Sequence, residues 1–209
     1  DDVEFNRLAL QQFEYQFAYN KPYAKFARAR GKTPSSVTSW EDIPAVPINA
    51  FKVLDLTCCP PEHAEALFMT SGTTSHHQCG KIYHQSLCVY DASMRYNFSK
   101  RFMSDVERIS MGILFPTPEK LPNSSLAYYL NLAKRDFGLP DSNHLIGSDG
   151  IDIDALMADL SRSETSGEPF ALLGASFSLV HALDILEERG FSVKLPAGSR
   201  ILDTGGFKG

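Results

Sequence analysis

The hydrophobic pattern of the 209 residues changes character near residue 66. Before that point Phe5, Leu8, Phe13, Phe17, Tyr23 and Phe26 recur at intervals close to one helical turn, which predicts helix over the first thirty residues. Pro22 removes a backbone donor and is expected to break this run into two helices, the second ended by Gly31. Thr33-Pro34-Ser35-Ser36 and Ile43-Pro44-Ala45-Val46-Pro47 then predict an extended, turn-rich connector. Trp40, Ile43, Val46 and Ile48 are its candidate anchors on the core.

Beyond residue 66, short apolar runs alternate with amphipathic stretches. Strands are predicted at 66–69, 81–83, 111–115, 170–173 and 201–202. A helix over about 86–105 carries Leu87, Tyr90, Met94, Phe98 and Phe102 on one face. A second holds Leu126, Tyr129, Leu130, Ala133 and Phe137 and stops at Gly138 and Pro140. A third, with Ile153, Leu156, Met157 and Leu160, starts at an aspartate cap. Ser176 is expected to cap a fourth, with Phe177, Val180, Leu183 and Leu186 facing inward and Gly190 at its end. This alternation predicts an α/β fold of mixed or parallel sheets flanked by helices. Residues 1–65 read as a helical and extended lead-in and 66–209 as the α/β part, with no linker between separate domains.

Composition narrows the function classes. Apolar residues make up 43% and charged residues 22%, ordinary for a globular chain and against wholesale disorder. Twenty basic against twenty-five acidic side chains give a formal charge of -5 with no basic stripe, which argues against nucleic acid as a partner. No apolar run approaches the ~18 residues of a membrane helix. Asp1-Asp2-Val3-Glu4 lacks the shape of a signal peptide, so a cytoplasmic protein with reduced thiols is expected. Cys58, Cys59, Cys79 and Cys88, with His76 and His77, raise a metal site, yet no spacing matches a C-x2-C knuckle with a partner pair.

Candidate chemistry gathers after the predicted strands, where ligands of open α/β sheets bind. In Thr70-Ser71-Gly72-Thr73-Thr74-Ser75, Gly72 permits a turn that aims backbone N–H groups at an oxyanion, and the hydroxyls add donors. Lys81 follows closely enough to offset phosphate charge, although the spacing is not that of a Walker A loop. A solvent-exposed polar turn is the competing reading. Asp203-Thr204-Gly205-Gly206 is likewise a second loop or a simple strand-end turn. Gly174-Ala175-Ser176 follows a strand with small residues that either line a pocket or let helix and strand pack closely. His181 reads as a half-buried helix residue rather than a base, and His84 and His144 have no partner spacing. Asp149, Asp152 and Asp154 flank Gly150, but no glutamate completes a calcium loop.

Four stretches, in order, resemble the adenylate-forming enzymes, and within them the acyl-protein synthetases of bacterial luminescence fatty-acid reductase complexes. They are Ile43 to Lys52, Phe68 to Thr74, Asn123-Ser124-Ser125-Leu126, and Ile201 to Gly209. The resemblance implies an ATP-dependent ligase that converts a carboxylic acid, a fatty acid above all, into acyl-adenylate and pyrophosphate, then passes the acyl group to a protein thiol. Thr70, Ser71, Gly72, Thr73 and Thr74 would hold the ATP phosphates, with Thr73, Thr74 and Lys81 as catalytic residues and Thr74 at Mg²⁺. Gly205, Gly206 and Phe207 would lie against adenine, and Gly174, Ala175 and Ser176 would border the acyl pocket. An acyl-transferring or reductase protein is the implied partner. Ser75 replaces a second glycine, and the family's Pro-Lys is replaced by His76-His77-Gln78-Cys79-Gly80-Lys81. The family's later motifs, its mobile C-terminal domain and its acylated cysteine have no counterpart here. The chain is therefore expected to be the N-terminal portion of such an enzyme, inactive alone. A phenylacetate-type aryl-CoA ligase and an inactive nucleotide-binding scaffold are the alternatives.

Overall fold

A computed structural model of the chain describes residues 1–70 and 79–204, which fall into two units, Asp1–Leu87 and Cys88–Gly209. In the first unit, α1 (Asp2–Tyr19) begins where the Asp1 carboxylate accepts from the Glu4 amide at 2.9 Å. The helical run breaks at Asn20, not at Pro22. The Asn20 backbone is extended and its N–H donates to the Gln16 carbonyl, while its side chain accepts from the Tyr23 amide and caps α2 (Lys21–Ala29). Pro22 lies in the first turn of α2, where its missing N–H costs nothing. Phe13, Ala27 and Val37 form the small core of this unit, with Phe17, Tyr23 and Ile43 against it.

The connector is held differently from the sequence expectation. Ile43 reaches the core, and the Tyr23 hydroxyl donates to the Pro44 carbonyl at 3.1 Å. Trp40 stays 45% exposed, edge-on to Phe5, and Ile48 is 75% exposed, so neither is an anchor. A single-turn helix α3 (Ala50–Val53) precedes two antiparallel strands, β1 (Ala66–Met69) and β2 (Lys81–His84), with Ala66 opposite His84 and Met69 opposite Lys81. These strands pair only with each other among the described residues. The hairpin falls within the first unit, and the parallel sheet lies within the second, which starts at Cys88.

The second unit runs α4 (Cys88–Arg101), β3 (Ser110–Leu114), α5 (Ser125–Phe137), β4 (Asn143–His144), the small hairpin β5 (Ile146–Gly147) and β6 (Gly150–Ile151), α6 (Ile153–Ser166), β7 (Phe170–Gly174), α7 (Ser176–Glu188) and β8 (Arg200–Asp203). Four strands form one parallel sheet in the order β4-β3-β7-β8. Alternation along β3 and β7 divides the core between its two faces. Met111, Ile113, Ala171 and Leu173 face Met94 and Phe98 of α4 and Leu130 and Ala133 of α5. Leu114, Phe170 and Leu172 face Leu156 and Leu160 of α6 and Leu179, Ala182 and Leu186 of α7. The start of β8 is tied down by Arg200, whose guanidinium grips the Asp105 carboxylate with bonds of 2.7 and 2.8 Å.

α7 corrects three expectations. Its inner face is Leu179, Ala182 and Leu186, while Phe177 is 74% and Leu183 51% exposed. The helix is apolar on both sides, so periodicity had no polar face to orient it. Ser176 is the first helical residue rather than the cap; Ala175 occupies that position and offers no side-chain bond. His181 is exposed, not half-buried. Elsewhere, Asp152 does cap α6, accepting from the Ala155 amide at 3.0 Å. No helix among the described residues is long and apolar enough to cross a membrane.

One glycine is required by close packing. A Cβ on Gly112, in the middle of β3, would lie 2.8 Å from Cζ of Phe170 and 3.0 Å from Cδ1 of Leu145, and both neighbours are buried. Gly112→Ala is expected to cost roughly 1–3 kcal/mol by overpacking. Chemical denaturation would read this as a lower midpoint at unchanged slope, and an unchanged midpoint would refute it.

Candidate functional site

The two ends of the hydroxyl-rich segment are a fixed pair. The Thr70 amide donates to the Gly80 carbonyl at 2.9 Å, and the Gly80 amide donates back to the Thr70 hydroxyl oxygen at 2.8 Å. This adds one step to the β1–β2 ladder and sets the mouth of the segment between them. A Cβ on Gly80 would approach Thr70 Oγ1 to 3.2 Å, so a small residue suits this closure. Thr70 itself is exposed, and its hydroxyl keeps a proton to donate. Ser71, Gly72, Thr73 and Thr74, expected to cradle phosphate, lie outside the described residues, as do His76 and His77.

Lys81 opens β2 on the same strand face as Tyr83, and both reach Asp55. The lysine Nζ stands 3.6 Å from Asp55 Oδ1, to which the tyrosine hydroxyl also donates at 2.9 Å. Burial first, then the Asp55 carboxylate, pushes the Tyr83 phenol above its ordinary range. Lys81 and Asp55 are 43% and 51% exposed, and such a pair is worth at most about 1 kcal/mol. An arriving anion can therefore draw Lys81 away at little cost.

The second candidate region is the carboxyl edge of the parallel sheet. From β3 the chain moves outward to β4, then returns across β3 to add β7 and β8, so its direction reverses between β3 and β7. Crevices at such reversals are where open α/β sheets bind ligands. Gly174 ends β7 so close to β3 that a Cβ would lie 3.0 Å from Cβ of Leu114. Ser176, 5% exposed, donates its hydroxyl to Asp203 Oδ1 at 2.8 Å. The Thr204 amide and hydroxyl both donate to the Gly174 carbonyl, at 3.0 and 3.3 Å. Of the three residues expected at an acyl pocket, Gly174 and Ser176 are thus engaged in holding strand ends, and Ala175 is half-buried. Gly205, Gly206 and Phe207 lie outside the described residues.

Sequence spacing missed His144. It ends β4 at this edge, and its Nδ1 lies 3.0 Å from the Phe115 carbonyl. A carbonyl only accepts, so the proton must be on Nδ1, which leaves Nε2 as an acceptor. Nε2 is buried and has no hydrogen-bond partner among the described residues. The partner of Nδ1 is a backbone atom 29 residues away, a relation that no side-chain motif encodes. Among the described residues no three His, Cys, Asp or Glu side chains are grouped to hold a metal. A largely apolar cavity of about 780 Å³ lies at the amino end of β7 and β8, lined by Leu183, Leu186, Phe191, Val193, Leu195 and Ile201. None of the expected site residues lines it.

A four-stranded parallel sheet covered by helices, with a chain reversal at its centre, defines an α/β protein. Its family is more specific. Residues 2–209 match the family model described as acyl-protein synthetase, LuxE, and the chain belongs to that family. It is also 21% identical over 203 residues to the long-chain-fatty-acid–luciferin-component ligase of Vibrio harveyi, a match that covers 97% of this chain and 53% of that protein. The chain therefore spans about half the length of the curated relative it matches.

Burial holds the His144 imidazole below its ordinary pKa, outweighing the Phe115 bond and the Glu119 carboxylate that favour its charged form. The unfolded chain therefore takes up a proton at higher pH than the folded one, so the His144 contribution to stability is complete above about pH 6.5 and is lost as pH falls through the folded value. Titration of the ring signals by NMR should place His144 below the ~6.5 of an ordinary imidazole, and a His144 midpoint at or above that value would overturn the assignment.

Proposed function

We propose that the chain acts as the N-terminal portion of a ligase that activates a carboxylic acid, a fatty acid above all, with ATP and Mg²⁺. The observation that carries this reading is the Thr70–Gly80 pairing at the two ends of the hydroxyl-rich segment, in a chain matched over its length to acyl-protein synthetases. A carboxylate oxygen attacks the α-phosphorus of ATP, the bond to the bridging oxygen breaks, and pyrophosphate leaves with its electrons. Stabilising the charge on the departing phosphates is the main work the protein must do. Thr70 to Thr74 supply N–H and hydroxyl donors to the β- and γ-phosphates, and Lys81, released from Asp55, supplies a positive charge. Mg²⁺, bound beside Thr74, would screen the same oxygens. Gly205, Gly206 and Phe207 contact adenine, and Ala175 borders the acid. The sulfur of a protein thiol then attacks the acyl carbon, losing its proton, and AMP leaves with the electrons of the acyl–oxygen bond; the partner is an acyl-transferring or reductase protein.

One observation favours a second reading. The Asp55 partner of Lys81 is what a nucleotide-binding scaffold without catalysis would keep, since its lysine has no departing charge to meet. Carboxylate-dependent ATP–pyrophosphate exchange by the full-length gene product separates the two. Exchange is expected with long-chain acids, and Thr73→Ala should lower it about 10²-fold, the usual effect of losing one transition-state donor. A folded protein that binds ATP but exchanges with no acid would leave the scaffold. Exchange confined to aryl acids, with product formed only on coenzyme A, would replace the acyl-protein synthetase by a phenylacetate-type ligase.

A further inference from the structure

We propose that the groove between α7 and β8, which runs into the 780 Å³ cavity, holds the alkyl chain of the acid with its carboxylate toward the carboxyl edge of the sheet. The inference rests on the fatty-acid activation proposed above and gives the tail of that acid a site of its own.

Two periodicities build the groove. Along α7, Ser176, Val180, Leu183 and Glu187 recur every three or four residues, so they share one side of the helix. That side faces β8, because the Ser176 hydroxyl donates to Asp203 Oδ1 and because Leu183, Glu187 and Ile201 line the same cavity. Along β8, Ile201 stands beside Leu172 in register, and Leu172 packs on the α6 and α7 side of the sheet. Asp203, two residues on, points to that side too. Between Ser176 and Glu187 the walls are therefore Val180 and Leu183 of the helix and Ile201 of the strand, all three exposed. The helix rise makes this run about 16 Å long. At its amino end the groove opens into the cavity among Leu186, Phe191, Val193 and Leu195.

The lining suits an alkyl chain better than a polar ligand. Arg200 reaches the cavity, yet its guanidinium makes two bonds to Asp105 and one each to the Phe102 and Gly198 carbonyls. Four of its five N–H donors are thus engaged, and the Asp105 carboxylate offsets its charge. Ser199 accepts from the Phe170 amide at 3.1 Å. Glu187 sets the direction of the chain: its carboxylate, at the amino end, repels another carboxylate, whereas the positive end of the α7 dipole lies at the carboxyl edge. Asp203, the acid at that edge, accepts the Ser176 hydroxyl. A cavity of about 780 Å³ is of the size that encloses a small molecule. Each methylene taken out of water there tightens binding about fourfold.

The experiment uses the full-length enzyme and compares pyrophosphate exchange with octanoate and with tetradecanoate. Leu183→Trp fills the groove from the helix, and Ser192→Trp fills the cavity from the exposed loop after it. In each variant the ratio of kcat/KM for tetradecanoate to that for octanoate should fall about tenfold or more, the effect of displacing two or so methylenes. A second readout needs no variant to fold. Tetradecanoic acid carrying a photoreactive diazirine at its tail should label the wild-type enzyme between Leu183 and Ile201, and unlabelled tetradecanoate should suppress the label. An unchanged ratio in folded variants, or a label placed elsewhere, would overturn the groove and leave acid activation intact. Equal losses with both acids would mean that these side chains meet the rest of the polypeptide rather than the tail, again against the proposal. Wild-type enzyme that exchanges with no fatty acid would overturn both readings together.

Discussion

A parallel strand covered by helices on both faces has no side on which to place a polar residue, and β3 is built under that constraint. Met111 and Ile113 point into one half of the core and Leu114 into the other, all of them inaccessible to water. A strand so placed must have its parallel neighbours supplied by crossovers, because a tight turn cannot return the chain in the same direction. The helices that make those crossovers, α5, α6 and α7, are the same ones that cover the sheet. The reversal beside β3, and with it the crevice at the carboxyl edge, is then a product of building outward from this strand in two directions. Gly112 and Gly174 allow that compactness, one by admitting the Phe170 ring and the other by letting β7 close on Leu114.

The two candidate regions rest on different kinds of support. At the sheet edge, backbone ladders, buried side chains and the Ser176–Asp203 bond reinforce one another, and little is left to local choice. At the mouth of the hydroxyl-rich loop, a single Thr70–Gly80 exchange sits on a two-stranded sheet, and its basic residue is held only by an exposed carboxylate. A firmly braced edge and a lightly held lysine are complementary properties for a protein with the substrates proposed. A planar base needs a fixed surface, whereas a chain of phosphates changes its charge distribution during reaction.

Much of the sheet was legible because strands buried on both faces are written as unbroken apolar runs, as in Met111 to Leu114 and Phe170 to Leu173. Other features were hidden for physical reasons. β4, β5 and β6 are two residues each, shorter than any periodicity can mark. α7 is apolar on both faces, so composition located the helix but not its inward side. Asn20 ends one helix with its backbone N–H and starts the next with its side chain, and proline drew attention two residues too late. At the candidate site, glycine and hydroxyls grouped in a short span single out Thr70 to Ser75 in the sequence, and of these the structure describes Thr70. Ser176 with Asp203, and His144 with the Phe115 carbonyl, join residues 27 and 29 apart and exist only once the strands are side by side.

The Thr70–Gly80 closure also bears on how such a loop can change over generations. Once the ends of a segment are pinned, the chain entropy of closing it grows only with the logarithm of its length, and doubling the length costs only about 0.6 kcal/mol. A change in the number of residues between Thr70 and Gly80 therefore carries little conformational penalty, because the paired strands maintain the gap. Residues can be inserted, lost or exchanged between the pinned ends while the strands keep their register. The part of the sequence most exposed to drift is thus the part whose alteration the fold registers least, and only demands on the loop's own chemistry will restrain it.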